Sequence, residues 1–338
     1  MFLPVIRSNM YVLGFESSCD ETSCAVVKNN QVLSNVTISS LKQHAPYGGV
    51  VPEVATRAHL KNIDKVLNSA LEQAQIPLKK IGLIAVTHEP GLMGALVVGL
   101  SFAKTLAFSL NKPLIGVNHL HAHLFAAFLD QREKIEFPFL GLVVSGGHTD
   151  IYLVKGFNKL KLVGSTCDDA CGESYDKVAR AFGLGYPGGP VIDKMFKPEY
   201  KDSFKFNCGR KGFDLSFSGI KTALIYKKQE LEKAGNFDEL MRCKLVSSFQ
   251  HCVVMAITDT VLEAARKYKV RTIVAGGGVV ANKYLRTALA EKCKDFQFFP
   301  APLRYTTDNA AMVAGLGFYL YNIAGLNHTL KLEAKAKR

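Results

Sequence analysis

The stretch YVLGFESSCDETSCAVV, residues 11–27, reads as an apolar strand, a polar turn rich in Ser, Asp and Glu, and a second apolar strand. FLGLVVSGGHTDIYLV, residues 139–154, repeats that order with Ser145-Gly146-Gly147-His148-Thr149-Asp150 as the turn. Another strand-like stretch follows each, Gln31–Ile38 and Lys159–Gly164. Later in each half a strand runs into glycines and then a helix. In the first half these are Ile81–Thr87, Pro90-Gly91 and an apolar helix; in the second, Val270–Ala275, Gly276-Gly277-Gly278 and a helix from Asn282. The same series of elements twice, about 130 residues apart, predicts two α/β lobes of one duplicated design. Gly-rich turns facing each other across a cleft between such lobes would suit a nucleotide.

An N-terminal lobe over 10–133 and a C-terminal lobe over 134–326 are therefore expected, followed by a basic tail, 327–338. The charged segment Asp130–Pro138, ending in Pro, is the expected crossing. A basic insertion near 194–233 holds ten Lys or Arg against five acids, with Phe196, Tyr200, Phe204, Phe206, Phe213 and Phe217 interleaved. It reads either as a solvated insertion with its own small core or as a nucleic-acid surface. The end of the tail, Lys331–Arg338, is expected to fray.

Composition bounds the function. In 338 residues the hydrophobic share is 48%, ample for buried cores, which excludes global disorder. A formal charge of +13 suits a polyanionic partner. None of the eight cysteines forms a Cys-x-x-Cys pair, and a chain this size needs no disulfide staples, so reduced thiols in the cytoplasm are expected. Met1–Met10 is broken by Pro4, Arg7 and Asn9, so no signal peptide is expected. The apolar run Gly91–Ala103 is shorter than the about 20 residues a bilayer span requires, so no membrane is expected.

Three of nine histidines fall at 119, 121 and 123. In a helix His119 and His123 share a face and His121 does not, which makes the outer two a metal half-site or an ordinary structural pair. A zinc protease needs His-Glu-x-x-His, and Leu120 stands where its Glu would be. Asp308, before an apolar helix, is available as a third ligand or as a helix N-cap. Two His and one Asp suit Fe(II), Zn(II) or Mn(II) alike. Asp20 and Glu21 are adjacent turn acids, either solvated or able to take a proton from an attacking amine. Ser145–Thr149 has the ingredients of an anion nest, and Pro187-Gly188-Gly189-Pro190 allows close backbone approach. Gly276-Gly277-Gly278-Val279-Val280-Ala281 matches a dinucleotide fingerprint, but the following strand, Phe296–Phe299, ends without its acid. No Walker A motif is present, which excludes a P-loop ATPase.

Taken together, Glu16-Ser17-Ser18-Cys19-Asp20-Glu21-Thr22, Asn118-His119-Leu120-His121-Ala122-His123, Val144-Ser145-Gly146-Gly147-His148-Thr149, Asp168–Lys177, Tyr186-Pro187-Gly188-Gly189-Pro190, Gly276–Asn282 and Thr307-Asp308-Asn309-Ala310 resemble the bacterial TsaD (YgjD) family. The seven motifs run in order from about Tyr11 to Leu326. Cys171, where Ala is usual, and Asn118, where many members have His, are the departures. The resemblance implies a two-lobed actin/Hsp70-like fold, that is, a duplicated ribonuclease-H-like fold with a cleft between lobes. It implies an acyltransferase that moves threonylcarbamoyl from threonylcarbamoyl-AMP to N6 of the tRNA adenosine beside the anticodon (t6A). By position His119, His123 and Asp308 match the family's metal ligands, usually iron, with zinc the alternative. Val143, Val144, Ser145, Gly146, Gly147, Asp176, Gly189, Asp193 and Asn282 match positions that bind the adenylate. Asp20 and Glu21 are the expected catalytic acids. The implied partners are tRNA, a paralogous TsaB-like subunit and a TsaE-like ATPase, in the cytoplasm. A metalloprotease, a sugar or acetate kinase of the same fold and a tRNA-binding scaffold are the competing readings.

Overall fold

A computed structural model of the chain describes residues 9–131 and 134–337. Residues 1–8, which include most of the stretch read for a signal peptide, lie outside the described residues. So do Arg132 and Glu133 in the expected crossing, and Arg338 in the tail.

The chain forms two compact units. Unit 1 begins with β1 (Tyr11–Glu16), β2 (Glu21–Lys28) and β3 (Gln31–Ser39), an antiparallel meander, and adds β4 (Ile81–Glu89) and β5 (Leu114–Asn118) parallel to β1. The sheet order is β3-β2-β1-β4-β5. After the short α1 (Leu41–His44), α2 (Pro52–Ala74) opens with Pro52 and Glu53 in its first turn, which suits the preset φ of Pro and the helix dipole. α2 packs on β2 and β3, and α3 (Met93–Leu110) packs on β4. α4 (His119–Phe125) leaves directly from the end of β5.

Unit 2 repeats the scheme. β6 (Phe139–Val144), β7 (Thr149–Val154) and β8 (Leu160–Ser165) form the meander; β11 (Thr272–Gly276) and β12 (Gln297–Pro300) run parallel to β6, giving the order β12-β11-β6-β7-β8. β9 (Gly209–Lys211) and β10 (Asp214–Ser216) make a separate hairpin. The helices are α5 (Cys171–Ala181), α6 (Gly188–Met195), α7 (Ser218–Lys233), the long α8 (Glu239–Lys267) and α9 (Lys283–Lys292). Read from the meander outward, both sheets have the same order and the same strand directions, as the repeated strand–turn–strand pattern predicts.

The division differs from the expected one at its far end. Residues 301–338 belong with unit 1, as do 155–159, and the units part after Phe137. The cause is α10 (Ala310–Asn322), apolar on nearly every face, which lies across β1, β2 and β4. Gly14 permits this approach: a Cβ there would sit 2.5 Å from the Ala310 carbonyl oxygen and 2.8 Å from Ala314 Cβ. The tail does not fray. His328 bridges Leu114 on edge strand β5, its Nδ1 accepts from Gly116 N (2.9 Å), and Lys335 N donates to the His88 carbonyl oxygen (2.8 Å). It thereby covers backbone that an edge strand would otherwise expose.

The aromatics of the 194–233 stretch divide. Phe217 is fully buried, Phe204, Phe206 and Phe213 are partly buried against the unit 2 core, and Phe196 stacks on Tyr284. Tyr226 is exposed, and Lys244 and Lys267 lie over the Tyr200 and Phe213 rings. The apolar run read as Gly91–Ala103 continues to Leu110. By length and composition α3 and α8 could each cross a membrane, but α8 is mostly buried in unit 2.

Candidate metal centre

Everything that brings chemistry together in unit 1 sits where β1, β4 and β5 end. Asn118 caps α4, its side-chain oxygen accepting from Leu120 N (3.0 Å) and His121 N (3.2 Å), and so fixes the first turn. His119 and His123, one turn apart, lie with ring centroids 4.6 Å apart. Asp308 reaches them from the turn before α10, its Oδ1 3.1 Å from His123 Nε2 and 3.6 Å from His119 Nε2. Asn309 is the N-cap of α10, accepting from Met312 N (3.0 Å), so Asp308 is not spent on capping. One donor atom from each of His119, His123 and Asp308 lies within 4.8 Å of the others. His121, in the same turn, is not part of this group.

The donors fit a divalent metal. His123 is completely buried, yet neither ring nitrogen has a well-aligned hydrogen-bond partner among the described residues. That cost is repaid where an imidazole nitrogen binds a cation. Asp308 Oδ1 stands 3.1 Å from His123 Nε2, a close approach that suits two ligands converging on one ion.

Glu16, which the motif reading did not single out, organises this group. Its carboxylate, buried at the end of β1, accepts from Ser18 N (2.6 Å), Thr87 Oγ1 (2.6 Å) and His119 Nδ1 (3.0 Å). Ser18 Oγ lies 3.1 Å from the same ring nitrogen. Burial alone would raise the Glu16 carboxyl, but the charge and hydrogen bond of His119 bring it below the usual carboxylate range. Burial opposes protonation of His119, yet Glu16 and Asp308 raise it to about 9. His123 is pushed down, by burial first and then by the charge of His119. A carboxylate on Nδ1 holds the ring so that Nε2 is the ligand atom, an arrangement that recurs behind metal-bound histidines. Glu16→Gln is accordingly expected to weaken metal binding about 10- to 100-fold, measured by competition with a chromogenic chelator. Unchanged affinity would leave Glu16 a purely structural carboxylate.

Asp20 and Glu21 occupy the β1–β2 turn and the start of β2. The turn is tied down. Buried His59 of α2 accepts from Thr22 Oγ1 (2.8 Å) and donates to the Cys19 carbonyl oxygen (3.0 Å), while Ser40 N and Oγ donate to the Asp20 carbonyl oxygen (2.9 and 2.8 Å). These acids are not the freely solvated hairpin residues that sequence also allowed. Burial, then the negative charges of Asp308 and Asp20, push the Glu21 carboxyl up to about 10.

The positions matched by resemblance to an adenylate site all fall in unit 2: Val143–Gly147 and Asn282 at or just beyond the carboxyl ends of β6 and β11, where ligands of open α/β sheets bind, Asp176 on α5, and Gly189 and Asp193 on α6. Val143 and Val144 are buried in β6. Ser145 anchors the β6–β7 turn, its Oγ accepting from His148 N (3.1 Å), and Gly146 and Gly147 are exposed with open space at their Cα atoms. The neighbouring glycine run follows β11, where Gly277 has φ 100° and no room for a Cβ, 2.3 Å from the Val144 carbonyl oxygen. Asp176 Oδ1 accepts from Gly188 N (2.7 Å), which sets the α6 start that carries Gly189. Asn282 caps α9 through Leu285 N (2.8 Å) and donates to Gln250 Oε1 (3.1 Å). Gln250 in turn donates to Asp193 Oδ1 (3.1 Å), whose other oxygen accepts from Lys283 N (2.9 Å). Gln250, buried in α8, is the member of this network that no motif signalled.

Comparison with known proteins gives the family. A family model described as TsaD, tRNA N6-adenosine threonylcarbamoyltransferase, matches residues 31–315. The tRNA N6-adenosine threonylcarbamoyltransferase of Thermosipho africanus (strain TCF52B) is 46% identical over 333 residues, covering 96% of this chain and 98% of that protein. The protein of the same name from Chlamydia felis (strain Fe/C-56) is 46% identical over 319 residues, covering 92% of each. Full-length HypF in its phosphate- and nucleotide-bound form aligns with a TM-score of 0.61 at 13% identity, over 96% of this chain and 48% of that one. The ROK hexokinase of Thermus thermophilus aligns at 0.50 with 15% identity, over 94% and 99%. At such identities these two carry the fold alone, which is of the actin/Hsp70 type. With a family model over most of its length and full-length relatives near 45% identity, the chain belongs to the TsaD family of tRNA N6-adenosine threonylcarbamoyltransferases.

Proposed function

We propose that the protein transfers a threonylcarbamoyl group from threonylcarbamoyl-AMP to N6 of adenosine 37, beside the anticodon, in tRNAs that read codons beginning with A, releasing AMP. The observation that carries this is family membership over nearly the whole chain, together with the convergence of His119, His123 and Asp308. These three residues hold one divalent metal per subunit, Fe(II) in the first instance and Zn(II) as the alternative. When bound, that ion supplies a Lewis acid toward phosphate or acyl oxygen. Val143–Gly147, Asp176, Gly189, Asp193 and Asn282 bind the adenylate. The exposed N–H groups of Gly146 and Gly147 suit an anion, while Asn282 and Asp193 keep the pocket residues in register through Gln250.

The exocyclic amine of adenine is a poor nucleophile because its lone pair is delocalised into the ring. Reaction therefore leans on the activated acyl donor, on positioning and on removal of the amine proton. Burial and the charges of Asp308 and Asp20 push the Glu21 carboxyl up to about 10, which favours Asp20 as the acceptor of the two turn acids.

The partners are tRNA, a TsaB-like paralogue and a TsaE-like ATPase, and the work is cytoplasmic. Support for a protein partner comes from α3. Met93, Val97 and Phe108 are exposed, Phe108 to 76%, and fall on one stripe of that helix. Support for tRNA comes from Lys197, Lys201 and Lys205, which have no salt-bridge partner among the described residues. Lys227 and Lys228, the natural choices for charge reversal from sequence, pair with Glu230 and Glu232, and Lys228 lies over Phe182 and Phe237. The better test is Lys201→Glu with Lys205→Glu. It is expected to weaken tRNA binding and flatten its log–log salt dependence by roughly 1 to 2 units, at about 0.7 per single-strand phosphate contact. An unchanged slope removes this surface from the tRNA interface.

The activity itself is tested by incubating the protein and both partners with threonylcarbamoyl-AMP and unmodified tRNA, then digesting the RNA for mass spectrometry. One threonylcarbamoyladenosine per tRNA is expected. ATP-dependent phosphorylation of a small hydroxylated compound, with the tRNA unchanged, would put a kinase in its place.

A further inference from the structure

Two thiols far from the metal group meet in unit 2. Cys252 lies midway along α8 and Cys208 immediately before β9, with their Sγ atoms 3.9 Å apart. Cys208 is 7% exposed, whereas Cys252 is half-buried. Both line an open cavity of about 540 Å³ whose wall also carries Lys201, Lys205, Asp202, Asp259 and Arg210, the last paired with Glu263. The segment ending at Cys208 is draped over α8, with Lys197 N donating to Ser247 Oγ and Phe204 N to Ser248 Oγ, each at 3.0 Å.

We propose that Cys208 and Cys252 form a reversible redox site, oxidised to an intramolecular disulfide by low-molecular-weight disulfides that enter this cavity. Cys252 is the attacking thiol because it is the more exposed of the pair and its contact with Cys208 pulls its thiol below the usual range, while Lys201 and Lys205 on the cavity wall suit acidic groups on a small disulfide. Its sulfur attacks one sulfur of the small molecule. A mixed S–S bond forms, the original one breaks, and the leaving sulfur departs with the proton Cys252 gave up. Cys208 then attacks the Cys252 sulfur, and the second small thiol leaves with the Cys208 proton. Two protein thiols are oxidised and one small disulfide is reduced to two thiols, so atoms and electrons balance. Closing 3.9 Å to the about 2.05 Å of a disulfide asks for side-chain rotation at two residues already in contact. The product fastens the lysine-bearing segment 197–208 to α8, and in a reducing compartment thiols reopen it, which makes it a mark rather than a staple.

The test treats the full-length protein with oxidised glutathione under native conditions and maps its thiols by peptide mass spectrometry. A Cys208–Cys252 cross-link is expected, with slower amide exchange over 204–211, both reversed by dithiothreitol. In Cys208→Ser, Cys252 should stop at a persistent glutathione mixed disulfide; in Cys252→Ser, Cys208 should stay reduced. A stable mixed disulfide at Cys252 in the unaltered protein, a cross-link between other cysteines, or no reaction at either thiol would each overturn the proposal.

Discussion

Replacing His123 by Ala is expected to leave the purified protein nearly free of divalent metal, with affinity lowered more than about 100-fold, beyond what loss of an outer-shell partner does. His123 is the residue to change first because its burial is complete and its ring nitrogens lack well-aligned partners among the described residues, a need that a bound cation meets. His119→Ala and Asp308→Ala should strip the metal to a similar degree, since each gives one of the three converging donors. His121→Ala should not, because its place in the helical turn puts it on another face. Elemental analysis of the four variants, alongside circular dichroism to confirm folding, decides the matter. Should His121→Ala lose the metal while His123→Ala keeps it, the ligand set is wrong.

The helical spacing of His119 and His123 could be read directly, because a one-turn repeat survives folding unchanged. Asp308 was harder. A carboxylate just before an apolar helix is as good an N-cap as a ligand, and only the capping bond of Asn309 to Met312 N separates the two. Glu16 stood in a quoted motif, but its role could not be read for a different reason. It ends a strand, and its partner His119 lies 103 residues away, so no local pattern joins them. The duplicated strand order was legible from the repeated strand–turn–strand segments, since alternation and turn chemistry are local. The assignment of 301–338 was not, because α10 is apolar all round and so carries no face that names its partner sheet. Gly14 is the complementary signal, a residue without a side chain on the strand that α10 covers, but a lone glycine in a strand has many uses. The 194–233 stretch left two readings open, a small core or a nucleic-acid surface, because interleaved Phe and Lys suit both; the structure buries Phe217 and part of Phe204, Phe206 and Phe213 and leaves the lysines outside.

Asp20→Asn is expected to slow threonylcarbamoyl transfer by about 100- to 10,000-fold in single turnover, the usual range for loss of general-base help. Metal content and adenylate binding should stay intact. Folding should too, because the Asp20 and Cys19 carbonyl oxygens tie the turn to Ser40 and His59. Glu21→Gln should behave differently. Burial is the largest cause of the raised Glu21 carboxyl, and a carboxyl lifted to about 10 is neutral at pH 7, so a neutral amide of the same shape changes little. The sign is explicit: raising the Glu21 carboxyl to about 10 favours its neutral form at working pH, which weakens it as a base. A rate near wild type for Glu21→Gln, with a deep loss for Asp20→Asn, therefore assigns the proton to Asp20. Equal and deep losses would show that Glu21 is ionised in the working enzyme and that the two acids act as a unit. Wild-type rates for both would return them to the role of buried acids that only shape the turn, and proton removal would then fall to solvent or to the leaving phosphate.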